Sequence, residues 1–146
     1  SDDGAPYVRQ LIAAIVAIAD GHTAAGQALT GSLIDAVLGV LFEKFDSSDL
    51  GKGHKPKKDD KKPAAYDDPG VLDLIAFAPI WRTYQHYFAM NGDPVPSTFS
   101  RHATAHSVSD IQYSECNAIQ GVMIACALLL RVDEVLYARQ EQEEAS

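Results

Sequence analysis

The chain has 146 residues, 47% of them hydrophobic and 22% charged, which suits one domain with a full core. Its net charge of −8 argues against a protein that coats nucleic acid. No uninterrupted apolar run has the ~18 to 20 residues expected of a membrane span, and the acidic opening carries no signal-peptide pattern.

The first predicted element follows Pro6, a residue suited to the first turn of a helix. Val8, Leu11, Ile12, Ile15, Val16 and Ala19 then recur at helical spacing, and Asp20-Gly21 ends the run. A second helix is predicted from about Ala25 to Phe45, lined by Leu29, Leu33, Val37, Val40, Leu41 and Phe45. Gly31 and Gly39 within it are places where another helix can come close.

Gly51 to Lys62 reads GKGHKPKKDDKK, a basic island in an acidic chain. It is expected as a flexible connector over residues 51–68. Its Lys55, Lys57 and Lys58 can serve as a mobile arm that touches phosphates. Asp68 and Pro69 are an N-cap and first-turn pair for a third helix, from about Gly70 to Met90. Leu74, Ile75, Phe77, Ala78, Trp81, Tyr84 and Phe88 lie on its apolar face, Pro79 predicts a kink, and Asn91-Gly92-Asp93-Pro94 stops it.

The last helix is expected to start near Ser109 or Ser114 and run to about Gln140. Ile111, Ala118, Ile119, Val122, Met123, Cys126, Leu129, Leu130 and Leu136 form its stripe, Ser109 and Gln112 match a capping box, and 141–146 should fray. In such a helix Cys116 and Cys126 sit roughly 15 Å apart, too far for a disulfide. Both read as small core residues of a reduced, cytoplasmic protein. With no strand pattern and no repeat, the chain reads as a single all-α domain over 1–146, an up-and-down four-helix bundle. Its first residue, Ser1, is what a processed or excised piece of a longer protein shows.

Between the last two helices lies Ser100 to Ser107, SRHATAHS, with Thr98 or Ser97 placed to cap a short helical turn. His102 and His106 would stack on one helical face, and Arg101 and His106 would stand about 140° apart around the axis. A long arginine can wrap that angle and meet the imidazole at one small anion. Two histidines four apart also suggest zinc, but the glutamate of an H-E-x-x-H motif is absent and no cysteine pair has ligand spacing. No metal or other cofactor is therefore expected. His22 and His86 read as surface residues, and His54 belongs to the basic island.

An arginine, four residues and a histidine just before the last helix of a bundle resemble the R-x4-6-H motif of the HEPN superfamily. FSRHATAHSVSDIQYSECNAIQGV, from Phe99 to Val122, is similar to a subgroup with an N-R-H-x-x-x-H-G signature, followed by a tyrosine-containing linker and an Asn-Ala helix. Tyr113 and Asn117-Ala118 fall at those places, while Ser100 stands for the usual Asn and Ser107 for the usual Gly.

The resemblance implies a metal-independent endoribonuclease, a bacterial toxin or antiviral defence effector. In that role His106 is general base or acid, Arg101 neutralises the pentacoordinate phosphate, and His102 orients the phosphate or protonates the leaving group. Tyr113, Glu115 and Asn117 lie close enough to line the site or to cap the last helix. The resemblance further implies a homodimer in which two motifs meet, with a neutralising antitoxin or neighbouring domains as partners. The alternative is a non-catalytic HEPN module that binds RNA, a nucleotide or a protein partner within a larger protein. A helical bundle whose acidic surface covers a basic toxin is a third possibility.

Overall fold

The structure is a computed structural model that describes residues 4–41 and 78–144, and all regular structure among them is helical. The protein is therefore all-α. Helix α1 spans Ala5–Ala19, with Pro6 in its first turn. It closes as a Schellman motif: the His22 N–H bonds the Ala17 carbonyl at 2.8 Å and the Gly21 N–H bonds that of Ile18 at 3.0 Å. Gly21 takes φ 84°, a conformation glycine adopts without strain. Helix α2 spans Thr23–Leu41, and residues 78–83 form α3. A 3-10 turn at Ala89–Asn91 leads to the short α4, Arg101–His106, and then to α5, Glu115–Glu144. α5 starts at the later of the two expected positions, and the tail is helical through Glu144.

α1 and α5 both pack on α2, and α4 rests against α2 as well. Leu33, Ile34, Val37 and Leu38 of α2 meet Leu11, Ile80, Tyr84, Phe99 and the α5 residues Ile124, Ala125, Leu128 and Val132 in one core. Small residues set how closely the helices approach. A Cβ added at Gly26 would lie 2.5 Å from Ile18 Cγ1 and 2.7 Å from the Ala14 carbonyl oxygen, so this glycine seats α1. One at Gly121 would crowd Phe99 at 3.1 Å and Thr30 at 3.2 Å. Among the described residues Gly31 meets only an ordinary contact and Gly39 none, so neither is the close approach there. Gly26→Ala should lower stability by about 1–3 kcal/mol in denaturant titration, through overpacking that exceeds the gain in helix propensity.

Several expected faces are rotated or shortened. In α1 only Leu11 and Ala14 are buried, while Val8, Ile12, Ile15 and Val16 face outward. In α5 the inward line is Ala118, Gly121, Ala125 and Leu128, and Ile119, Met123 and Leu130 are exposed, as is Ile111. Cys116 is exposed and Cys126 partly buried, both as free thiols, which corrects the core assignment of Cys116.

α3 ends at residue 83 rather than Met90. Beyond it the Phe88 N–H bonds Asp93 Oδ2 at 2.8 Å and the Tyr87 carbonyl turns to His102, so neither bonds within a helix. Ala78 and Trp81 are exposed, whereas Tyr84 is buried. Leu74, Ile75, Phe77, the basic island, Phe45, and any bend ahead of Pro79 lie outside the described residues.

By length and mean hydropathy, Thr23–Leu41 and Glu115–Glu134 are each apolar enough to cross a membrane, which a count of uninterrupted apolar runs misses. Here they pack against the core, with 44% and 33% of their most apolar windows buried.

Candidate functional site

The site is built around α4. Ser100 caps it: its backbone is extended, at φ −128° and ψ 121°, and its hydroxyl accepts the Ala103 N–H at 3.1 Å. The cap is thus Ser100 and not Thr98 or Ser97. At the other end Ser107 has φ −130° and ψ 146°, extended backbone open to any residue.

Beneath α4 lies a polar network enclosed in the core. Gln27, Gln112 and Asn117 are each 0% exposed. Gln112 Oε1 accepts from the Ser100 N–H at 2.9 Å and the Thr104 hydroxyl at 3.2 Å. Its Nε2 donates to the carbonyls of Pro96 at 2.9 Å and Thr98 at 3.1 Å. Gln27 Nε2 on α2 donates to Thr104 Oγ1 and to the Gln112 carbonyl, both at 3.0 Å. Gln112 therefore fixes the start of α4, and it is no part of a capping box. Ser114 caps α5 through the Asn117 N–H at 3.2 Å.

Arg101, 28% exposed in its side chain, bonds Asp35 on α2. Its Nε donates to Asp35 Oδ2 at 2.6 Å, and its Nη2 donates to the same oxygen. The buried Tyr84 hydroxyl donates to the other carboxylate oxygen. Burial, and then the bond to Asp35, push the Tyr84 phenol well above its ordinary pKa. The bond to Asp35 raises that of Arg101 against the opposing effect of burial. Because Asp35 takes the Nε side of the guanidinium, the Nη1 end remains for a second anion.

His102 Nδ1 lies 3.1 Å from the Tyr87 carbonyl oxygen. A carbonyl only accepts, so Nδ1 carries a proton and Nε2 is the ring nitrogen left for another partner. The ring of the exposed His106 is 5.0 Å from that of His102 between centroids. His102 also meets His86 at 5.5 Å and Phe88 at 5.8 Å, both T-shaped. Arg101 and His102 are thus both tied to segment 84–88, one through Asp35 and Tyr84, the other through Tyr87. No hydrogen bond or ring contact joins Arg101 to His106 among the described residues.

Of the other sequence-selected residues, Tyr113 donates its hydroxyl to the Thr104 carbonyl and braces α4 from below. The enclosed Asn117 donates its amide to the carbonyls of Gln112 at 2.8 Å and Ile111 at 3.2 Å. It belongs to the scaffold under α4 and does not face solvent. Glu115 is exposed in the first turn of α5, and His22 is exposed far along the chain. Lys55, Lys57 and Lys58 lie outside the described residues. Among those that are described, no three His, Cys, Asp or Glu side chains gather to hold a metal ion.

Asp35, Tyr84, His86 and Phe88 join this cluster without being marked for it by the sequence pattern. Asp35 had a signal: it is the sole charged residue of α2. A carboxylate alone in an apolar helix wants a cationic partner. Comparison with family models, with curated proteins and with solved structures finds no match to this chain.

Proposed function

We propose that this chain is a metal-independent endoribonuclease of the HEPN type, a four-helix bundle that acts as a cytoplasmic homodimer. In this reading it is a toxin or defence effector, with a neutralising antitoxin or neighbouring domains as partners. The observation that carries the reading is the chemistry gathered on α4. A permanent cation is pre-positioned by Asp35, and the same short helix carries two imidazoles 5.0 Å apart, one oriented by the Tyr87 carbonyl.

In the proposed reaction His106 takes the proton of a ribose 2′-OH. The 2′-oxygen forms a bond to the adjacent phosphorus while the bond to the 5′-oxygen breaks. Arg101 offers its free Nη1 end to the phosphate as charge grows there. A doubly protonated His102 keeps its bond to Tyr87 and gives the Nε2 proton to the leaving 5′-oxygen. The products are a 2′,3′-cyclic phosphate, which can open to a 3′-phosphate, and a 5′-hydroxyl. The substituted signature positions also support the reading. Ser100 fills the capping role open to asparagine, and the extended backbone at Ser107 needs no glycine.

A non-catalytic HEPN module is favoured by a different observation. Asp35 already neutralises Arg101, and the outward faces of α1 and α5 carry Val8, Ile12, Ile15, Ile119, Met123 and Leu130 as docking surface for a protein. Two cheap measurements separate the readings. Expression of the active nuclease should slow growth of its host, and expression of His106→Ala should not. RNA cleavage by the purified chain should continue unchanged in EDTA. Cleavage lost in EDTA and restored by zinc would replace the mechanism with a metal-assisted one, and equal growth with both chains would favour the binding module.

A further inference from the structure

Segment 84–88 does more than brace Arg101 and His102. Tyr84 and Tyr87 are buried, and they anchor it from inside. The Phe88 N–H bond to Asp93 and the His102 bond to the Tyr87 carbonyl fix its course. What the anchored segment leaves outside is a pair of rings. His86 and Phe88 lie nearly parallel, with centroids 5.6 Å apart and planes 12° apart. Phe88 is 48% exposed, and His86 is exposed too. Both rings meet His102, which meets His106, so an aromatic surface runs unbroken from Phe88 to the proposed general base.

We infer that His86 and Phe88 form a stacking platform for an unpaired nucleobase next to the scissile phosphate, which makes single-stranded RNA the substrate class. The inference rests on the ribonuclease reading for the identity of its ligand. A flat, half-exposed phenylalanine whose backbone N–H is tied to Asp93 offers a face on which any base can stack. A base inside a duplex is already stacked on its neighbours and has no face to give. The platform also places the base where its own ribose lies beside the imidazoles, since His102 touches both rings. With few cations described near the site, stacking supplies affinity that phosphate contacts in an acidic protein do not.

The test uses the full chain and a fluorescent single-stranded RNA with 2′-O-methyl riboses, which cannot undergo 2′-OH attack, so binding is read apart from cleavage. Phe88→Ala should weaken binding about tenfold, and Phe88→Trp should restore it. A strand of the same length without bases should bind the wild type about as weakly as the normal strand binds Phe88→Ala, and should lose nothing more from that substitution. The corresponding duplex should bind weakly to both. Binding by Phe88→Ala within twofold of wild type, or equal binding of duplex and single strand, would overturn the platform. So would a Phe88→Ala variant that loses self-association while binding RNA normally, since the rings would then belong to an interface between copies. Failure of the nuclease reading looks different. In that case the platform variants change binding as expected, while an unmodified RNA stays intact with the wild type.

Discussion

Purified His106→Ala should lose RNA cleavage by about 10²–10⁴-fold while its unfolding midpoint stays within experimental error of wild type. The rate loss follows from removing the proposed base for the 2′-OH proton. The unchanged stability follows from position. His106 ends α4 at the surface, and its described contact is the ring of His102. Arg101→Ala should lose a similar factor for a different reason, since charge growing on the phosphate then loses its guanidinium partner. Its stability cost should be small, at most about 1 kcal/mol, because both partners of the Arg101–Asp35 pair are about a third exposed. Tyr84 remains to bond Asp35 in that variant. Retained cleavage by both variants would remove the catalytic assignment and leave a helical scaffold.

The largest loss of stability should come from Gln112→Leu, at about 3–5 kcal/mol by chemical denaturation. Leucine has nearly the same volume, so the effect isolates hydrogen bonding. The substitution strands the Ser100 N–H and the Thr104 hydroxyl as donors and the Pro96 and Thr98 carbonyls as acceptors. All four flank or belong to α4, so any folded fraction should also cut RNA poorly. Asn117→Leu should cost less, because its amide holds only the carbonyls of residues 111 and 112. A Gln112→Leu chain as stable as wild type would mean that the network is not what positions α4.

Helix ends were legible in the residues that make them. Pro6, Asp20-Gly21 and Ser114 each act within one turn of chain, so local chemistry decides them, whereas Gly92 closes a 3-10 turn and not the third helix expected to end there. The phase of α1 and α5 was not legible. α1 and the first half of α5 are apolar nearly all round, and Ala14, Ala118, Gly121 and Ala125 turn inward where α2 comes close. Large apolar residues stand on both the inward and the outward faces, so a stripe of them does not fix the phase. The polar core was hidden for the opposite reason: Gln27, Gln112 and Asn117 read as surface residues until their partners, up to 85 positions apart, are known. Within the site, Arg101, His102 and His106 stood out because one short helix carries all three. His86 and Phe88 join them only because α3 stops at residue 83, which frees the next residues to extend alongside α4.

The most direct measurement is product analysis on a DNA oligonucleotide that contains one ribonucleotide, incubated with the purified chain in EDTA and read by mass spectrometry. A single cut is expected on the 3′ side of the ribonucleotide, leaving a 2′,3′-cyclic phosphate and a 5′-hydroxyl, with no cut by His106→Ala. An intact strand, a cut elsewhere, or a 3′-hydroxyl end would contradict it.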